Sequence, residues 1–262
     1  MEEVMLKLNN ISFSIGKKNI LQDISVSFEP GKIHMILGPN GSGKSSLLKI
    51  FAGETKYFTG EVLYENKQIQ NIHTLELARK RAVLSQQPHL DFPLSVFEVV
   101  MMGRYPHFDF QPSVEDKKIC NEVMSMLGIK EMSERNYLTL SGGEKQRVQY
   151  ARVLAQIWNN TTEEIRYLFL DEPLNSLDIK YQQEFLQIAK SFMNDKTVVA
   201  IVIHDINLAI KFGDTLHFMK NGRMVCSGKT NDVLSKELIH QVFDINSEII
   251  HTPSGNPLVI YE

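Results

Sequence analysis

The chain has 262 residues, with 28 basic and 31 acidic side chains, 43% hydrophobic residues and two cysteines. The near-balance of charge excludes the basic footprint of a nucleic-acid binder, and a chain of this length buries a large core as one α/β domain with room for a sizeable insertion. No apolar stretch, residues 198–203 included, approaches a bilayer span; Cys120 and Cys226 stand in different segments and read as reduced thiols of a cytosolic protein, not as a disulfide or a metal pair.

The opening residues, MEEVMLKL, lack a basic region followed by an apolar run, so no secretion signal is expected. The first stretch is strand-rich: Ile24, Val26 and Phe28 alternate with polar residues, and Pro30-Gly31 makes a turn. Ile33, Met35, Ile36 and Leu37 form a buried-type strand, residues 38–45 read GPNGSGKS, and Leu47, Leu48, Ile50 and Phe51 recur at helical spacing until Gly53. Residues 62–64 and 83–85 predict short strands. From about residue 88 to 155 the texture is helical. Val96, Val99 and Val100 share one face; Ile119, Val123, Met126 and Leu127 share another, which Gly128 ends. Ser141 is the expected N-cap of a long helix with Val148, Ala151, Leu154 and Ala155 inside. Residues 167–170 and 198–203 predict buried strands flanking a helix with Phe185, Ile188, Ala189 and Phe192 on one side. Asn221-Gly222 marks a hairpin, a helix covers residues 236–243, and a short Pro/Gly-containing tail finishes the chain. No internal repeat, low-complexity tract or linker is visible. The expected class is α/β with a mainly helical insertion.

The run at 38–45 matches the pattern Gly-x-x-x-x-Gly-Lys-Ser, between a strand and a helix. Triphosphate oxygens need donors converging from several directions. Gly38, Gly41 and Gly43 let the backbone curl so that successive N–H groups face one concavity, with Pro39, Asn40 and Ser42 between them. The helix that starts there, with Ser46 in its first turn, adds free N–H groups and its positive dipole end. Lys44 can set an ammonium between β- and γ-phosphates, and Ser45 can offer a hydroxyl to Mg²⁺.

Further along, the apolar run 167–170 delivers Asp171 and Glu172 to a strand end, where one carboxylate can hold Mg²⁺ through water and the other can polarise an attacking water. His204 follows the strand 198–203 and is placed for the γ-phosphate. Gln86 follows a short strand, where its amide can read both metal and water. Residues 140–147 read LSGGEKQR: Ser141, Gly142 and Gly143 at a helix start make a second anion-binding turn. With one phosphate loop per chain and one γ-phosphate per nucleotide, the economical arrangement is two copies, each capping the nucleotide held by the other.

Taken in order, the phosphate loop, Gln86, the run at 140–147, Asp171-Glu172, the loop Ser176-Leu177-Asp178 and His204 resemble the ATP-binding-cassette (ABC) ATPase family, over nearly the whole chain. The resemblance implies a single domain over residues 1–262. In it, residues 1–87 and 156–262 form a P-loop ATPase core, a mixed sheet with flanking helices plus an antiparallel β subdomain, and residues 88–155 form a helical subdomain carrying the signature. It implies ATP and Mg²⁺ as ligands. Lys44 then binds phosphate, and Ser45, Gln86 and Asp171 serve Mg²⁺. Glu172 orients water, His204 touches the γ-phosphate, Ser141 and Gly143 cap the partner copy's ATP, and Asp178 communicates across the dimer. Two positions depart from the family. Ile15 stands where an aromatic usually stacks on adenine, so the base is held by apolar contact, with nearby Phe13 packing elsewhere. Leu174 stands where threonine usually follows the proline.

Residues 76–108 narrow the resemblance to importer ATPases serving metal chelates: ferric siderophores, cobalamin and haem. The run ARVLAQIW at 151–158, the loop 159–164 and the tail around Gly255-Asn256-Pro257 are most similar to the haem branch. The resemblance implies an ATPase at the cytoplasmic face of the cell membrane, peripheral to a permease dimer, reached indirectly by a substrate-binding protein. The remaining alternative, a soluble cassette ATPase acting on DNA or ribosomes, lacks the coiled coil, the zinc motif or the second cassette expected of it. Met101, Met102, Met124, Met126 and His107 are read as packing residues and not haem ligands, and Trp158 as packing at a helix end. Phe92, Pro93, Leu94, Val96, Tyr105, Pro106 and Phe108 are the candidate lining of a groove for a permease helix.

Overall fold

The structure, a computed structural model, describes residues 5–85, 90–158, 164–175, 177–253 and 255–262. In chain order the elements are β1 (Leu6–Ile15), β2 (Lys18–Phe28), β3 (Lys32–Leu37), α1 (Lys44–Phe51), β4 (Thr59–Tyr64), β5 (Lys67–Gln68), α2 (Thr74–Lys80), β6 (Arg81–Leu84), α3 (Val96–Met101), α4 (Val114–Met126) and α5 (Gly142–Ile157). They continue with β7 (Arg166–Asp171), α6 (Ile179–Phe192), β8 (Thr197–Val202), α7 (Ile206–Phe212), β9 (Thr215–Lys220), β10 (Arg223–Lys229), α8 (Thr230–Val233), α9 (Lys236–Phe243), β11 (Ser247–His251) and β12 (Pro257–Tyr261). They form two compact units, Met1–Asn71 with Met193–Glu262, and Ile72–Phe192.

In the first unit, β2, β1, β4 and β5 make an antiparallel sheet in that order. Ile24, Val26 and Phe28 of β2 are buried while Ser25 and Ser27 between them face water, the period of two that the alternating sequence predicts; in β1, Leu6, Leu8 and Ile11 are buried, with a register shift between Leu8 and Ile11. Strand β3 runs parallel to both β8 and β9, and β10 returns antiparallel to β9. The β9–β10 turn is Asn221-Gly222, both at positive φ (50° and 75°), the mirror-image turn whose twist suits a hairpin. All six residues of β8 are buried, which explains the unbroken apolar run from Val198 to Val202; Thr197 at its start donates its hydroxyl to Asn194 Oδ1 at 2.8 Å. Chain ends of β3 and β8 lie side by side: Ile36 pairs with Val202, and Ile203 N–H donates to Ile36 O at 3.1 Å. The last residues are more than a tail. Strands β11 and β12 pair as a hairpin, and the Asn207 side chain of α7 clamps Val259, donating to its carbonyl (3.0 Å) and accepting from its N–H (2.8 Å).

This unit buries two histidines against each other. His34 Nδ1 lies 3.1 Å from His217 Nε2, and His217 Nδ1 lies 2.7 Å from Ser227 Oγ. His34 Nε2 lies 3.0 Å from Glu29 N and 2.9 Å from Glu29 O. Burial pushes His34 down to about 4, and burial with the charge of His34 pushes His217 well below the ordinary imidazole value. An imidazole whose folded pKa is depressed contributes stability that is complete above about 6.5, its unfolded value, and is lost as pH falls through the folded value. For His34 alone the loss between pH 7 and pH 4 is about 3 kcal/mol. The His34 ring signal in an NMR titration is expected to stay in its neutral position at pH 5, with denaturant stability falling across the same window. A midpoint near 6.5 contradicts the assignment.

In the second unit, β6 and β7 pair in parallel, with Leu84 opposite Leu170. Helices α3, α4 and α5 each start with a capping box, Ser95 with Glu98, Ser113 with Asp116, and Ser141 with Glu144. Val96, Val99 and Val100 are buried as their spacing predicts. The α4 stripe needs correcting: Ile119, Val123 and Leu127 are buried, together with Cys120 and Met124, but Met126 is 40% exposed. Positions 119, 120, 123, 124 and 127 form one continuous helical face, and 126 lies off it. On α6, Phe185, Leu186 and Ala189 are buried, whereas Ile188 and Phe192 are half-buried. Phe185 stacks on Tyr150 of α5 at 3.7 Å. Met101 is buried like Met124, and Trp158, at the end of α5, packs on Phe192 at 5.8 Å. Arg104 is buried with its charge matched by Asp116 at 2.9 Å, and donates to Ala155 O and Trp158 O.

Candidate functional site

The phosphate loop belongs to the first unit, between β3 and α1. Gly38 has φ 152°, and a Cβ there would come within 2.1 Å of Met219 O and 2.8 Å of Ser42 Oγ, so only glycine admits this turn. Gly43 caps α1 at φ 99°, and the first turn of α1 carries no acidic side chain, leaving its positive end open to an anion. Ser42 Oγ is buried with no hydrogen-bond partner among the described residues. Lys44 is 4% exposed, and its ammonium donates to Gly38 O (2.9 Å) and Pro39 O (3.1 Å). Ser45 and Ser46 follow in the same turn of α1, both half-buried. Three glycines at positive φ (Gly38, Gly41 and Gly43), the Lys44 ammonium bonded to the loop and the orphaned Ser42 hydroxyl fit a polyphosphate.

Pairing of β3 with β8 puts His204 at the same sheet edge as this loop. The residue before it, Ile203, is bonded to Ile36, two residues before Gly38. His204 is exposed, and Asp205 behind it caps α7 through Leu208 N–H at 2.9 Å. Ile15, at the end of β1, is 63% exposed beside the β1–β2 turn, and Phe13 is half-buried.

The remaining candidates belong to the second unit. Asp171 ends β7 and is 3% exposed. Glu172 follows at φ 49°, a left-handed backbone that costs a residue with a side chain about 1–3 kcal/mol and concentrates at functional sites. Its carboxylate accepts from Asn175 Nδ2 at 2.9 Å. Gln86 lies outside the described residues, as do Ser176 and residues 159–163 of the loop at 159–164; Leu84, two residues earlier in the chain than Gln86, pairs with Leu170, one residue before Asp171.

Ser141, Gly143 and Asp178 line one cavity of about 430 Å³, together with Glu144, Arg147, Leu177 and Tyr181. Gly142 and Gly143 are the first residues of α5. Ser141 donates from its N–H and its hydroxyl to Glu144 Oε2, both at 2.8 Å, and Arg135 donates to Glu144 Oε1 at 3.0 Å. These Ser141 bonds, with Arg135 adding to them, hold the Glu144 carboxyl below the usual carboxylate range. The turn thus already holds an oxyanion, supplied by the chain itself, which is the donor chemistry that a phosphate requires.

Three contacts escaped the sequence reading. Gln146 of α5 donates to Pro173 O at 2.8 Å, Gln182 of α6 donates to Leu177 O at 3.1 Å, and Arg147 lies 4.7 Å above the Tyr181 ring. Gln146 and Arg147 stand within LSGGEKQR, but nothing local names their partners.

Comparison with known proteins follows this geometry. The family described as ABC transporter matches residues 21–175. Two relatives named "Hemin import ATP-binding protein HmuV" are similar over nearly full length. That of Gloeobacter violaceus is 41% identical, covering 98% of this chain and 94% of its own. That of Agrobacterium fabrum is 39% identical, covering 95% of each. Among solved structures, the dimeric bacterial ABC transporter cassette MJ0796 superposes with a TM-score of 0.73 at 28% identity, covering 86% of this chain and 99% of that one. An inward-facing transporter described as of the metal-chelate ABC type reaches a TM-score of 0.82 over 99% and 98% of the two chains; at 21% identity it speaks for the fold alone.

Proposed function

The chain belongs to the ABC transporter family, and from that premise we propose that it is the ATP-hydrolysing subunit of a bacterial importer, coupling ATP turnover to haem uptake through a membrane permease. The observation that carries the reading is similarity to hemin import ATP-binding proteins across 98% of the chain. No helix among the described residues is long and apolar enough to cross a membrane, so the transport path is assigned to a separate permease, with this subunit at its cytoplasmic face. The working division is a core of residues 1–87 and 156–262 with a helical subdomain at about 88–155.

In this reading the loop from Gly38 to Ser46 wraps the triphosphate, and Lys44 exchanges its loop carbonyls for phosphate oxygens. His204 holds the γ-phosphate from the neighbouring strand end. Glu172 orients the attacking water and accepts its proton. Ser141 and Gly143 cap the ATP of a second copy, and Asp178 lies beside them. Ser45, Gln86 and Asp171 are the residues that would hold Mg²⁺, which when bound screens charge between the β- and γ-phosphates. Ile15 offers adenine an apolar contact.

The test is co-purification with a multi-span permease and measurement of which chelate stimulates ATP hydrolysis by the reconstituted complex. Haem stimulation is the expected result. Stimulation by a ferric siderophore or a cobalamin alone replaces haem with that cargo, and absence of ATP hydrolysis overturns the reading.

The permease surface is narrowed by burial. Val96 is 0% exposed and belongs to the core, and Leu94 is half-buried with its carbonyl accepting from Tyr137 N–H at 2.8 Å. Phe92 and Tyr105 are 69% and 57% exposed, large apolar side chains with no core role. Aromatic anchors commonly cost an interface about 2 kcal/mol or more when truncated. Phe92→Asp is therefore expected to weaken pull-down of the permease at least tenfold while leaving folding and ATP affinity intact, with tenfold corresponding to about 1.4 kcal/mol. Unchanged assembly refutes the placement.

A further inference from the structure

We propose that Gln146 is a positioning residue that couples the two ATP sites of the two-copy assembly. It ties the turn that caps the partner copy's nucleotide to the turn that carries this chain's own catalytic glutamate. The inference rests on the ATPase reading above and goes beyond it, because it assigns a function to a residue outside both binding turns.

Gln146 lies one helical turn past Gly143 on α5. Its Nε2 donates to Pro173 O at 2.8 Å. Pro173 is the residue after Glu172, so the bond pulls on the residue next to the strained position. Glu172 has φ 49°, and a proline following it restricts its backbone further. A residue held in a sparsely populated conformation stays there only while its surroundings over-determine it. The surroundings here are Asn175 on the Glu172 carboxylate (2.9 Å), Gln146 on Pro173, and Gln182 on the Leu177 carbonyl (3.1 Å). Asn175 also donates its own N–H to Glu172 O at 3.4 Å, so the Asn175 and Gln182 supports are local to α6 and the turn. The Gln146 support comes from the signature helix α5.

The direction of coupling follows from the rigidity of α5. Its buried face, Val148, Ala151, Leu154 and Ala155, makes it move as one body with its N-terminal turn. When Ser141 and Gly143 engage a phosphate, the exchange of Glu144 for that phosphate at Ser141 shifts the first turn, and the shift reaches Pro173 through one hydrogen bond. The Glu172 carboxylate is then set for the chain's own nucleotide only when the partner's nucleotide is capped. A neutral hydrogen bond of this kind changes rates by a modest factor, which is enough to make hydrolysis at one site depend on occupancy of the other.

The experiment is steady-state ATP hydrolysis by the full-length protein against ATP concentration, for wild type, Gln146→Ala, Gln146→Asn and Gln182→Ala. Gln146→Asn keeps the amide but is one methylene too short, and guards against a folding defect in the alanine variant. The wild type is expected to show a Hill slope above unity. Both Gln146 variants are expected to lower kcat by about two- to tenfold, the span of one neutral hydrogen bond, and to bring the slope to unity, with unchanged thermal midpoint and unchanged ATP affinity of the isolated subunit. Gln182→Ala, which weakens the same turn from α6, is expected to lower kcat while keeping the wild-type slope. A wild-type slope retained in the Gln146 variants, equal flattening by Gln182→Ala, or a wild-type slope of unity each overturns the proposal while leaving the ATPase reading intact. A wild type that does not hydrolyse ATP overturns the ATPase reading itself, and the coupling with it.

Discussion

Replacement of Glu172 by glutamine is expected to slow ATP turnover by about 10²–10⁴-fold, the usual contribution of a positioned general base, which raises the barrier by roughly 3–5 kcal/mol. Glutamine keeps the size of the side chain and its capacity to accept from Asn175 Nδ2, now 2.9 Å away, so the turn and ATP binding survive. The ATP-bound two-copy form then accumulates, because closure is intact and the step that reopens it is slow. Gel filtration with and without ATP, beside a phosphate-release assay, checks both halves. The backbone offers a second control. Glu172 sits at φ 49°, a region that asparagine tolerates better than most residues. Glu172→Asn relieves the strain but removes the carboxylate, so it should match or exceed wild-type thermal stability while remaining inactive. Turnover within a few-fold of wild type in either variant removes Glu172 from the chemistry.

Replacement of Lys44 by alanine should weaken ATP binding by about 10²-fold or more. Each charge-assisted hydrogen bond to phosphate is worth about 1.5–3 kcal/mol, and each 1.4 kcal/mol is tenfold in affinity. The ammonium donates to Gly38 O and Pro39 O, so binding exchanges carbonyl bonds for phosphate bonds and the surplus sets the loss. Calorimetry on wild type and Lys44→Ala reads the difference, and equal affinities contradict the assignment. Lys44→Arg is not expected to rescue, because the side chain is 4% exposed in a tight loop and a planar guanidinium is not a compact ammonium.

Elements whose signal is short-range were legible in the sequence. The strand run Ile33 to Leu37, the apolar spacing after Lys44, the Asn221-Gly222 turn and the helix at 236–243 all fold as read. Ser141 is the N-cap expected of it, because a capping box is closed by residues three apart. Where the reading failed, distance in sequence was the cause or periodicity was mis-phased. Helical spacing groups Met126 with Ile119, Val123 and Leu127, but the buried face of α4 is set by 119, 120, 123, 124 and 127 and leaves Met126 exposed. The hairpin β11–β12 looks like a tail in the sequence because its strands are short and joined by a Pro/Gly-containing loop, and its anchor, Asn207, lies 52 residues earlier. Val96 looked like part of an exposed apolar patch because sequence does not distinguish a proline-rich surface from the start of a buried helix.

The sequence by itself determined the phosphate-loop pattern, the order of the candidate binding turns and the family, because a glycine curl, a cap or a strand-end carboxylate is set by neighbours a few residues away. Only the tertiary structure decided what those turns are fastened to. His34 meets His217 across 183 residues of chain, Gln146 reaches Pro173 across 27, and Phe92 is left exposed where Val96 is not. Such contacts are chosen by which faces are buried against each other, a property of the packed whole that no local pattern encodes.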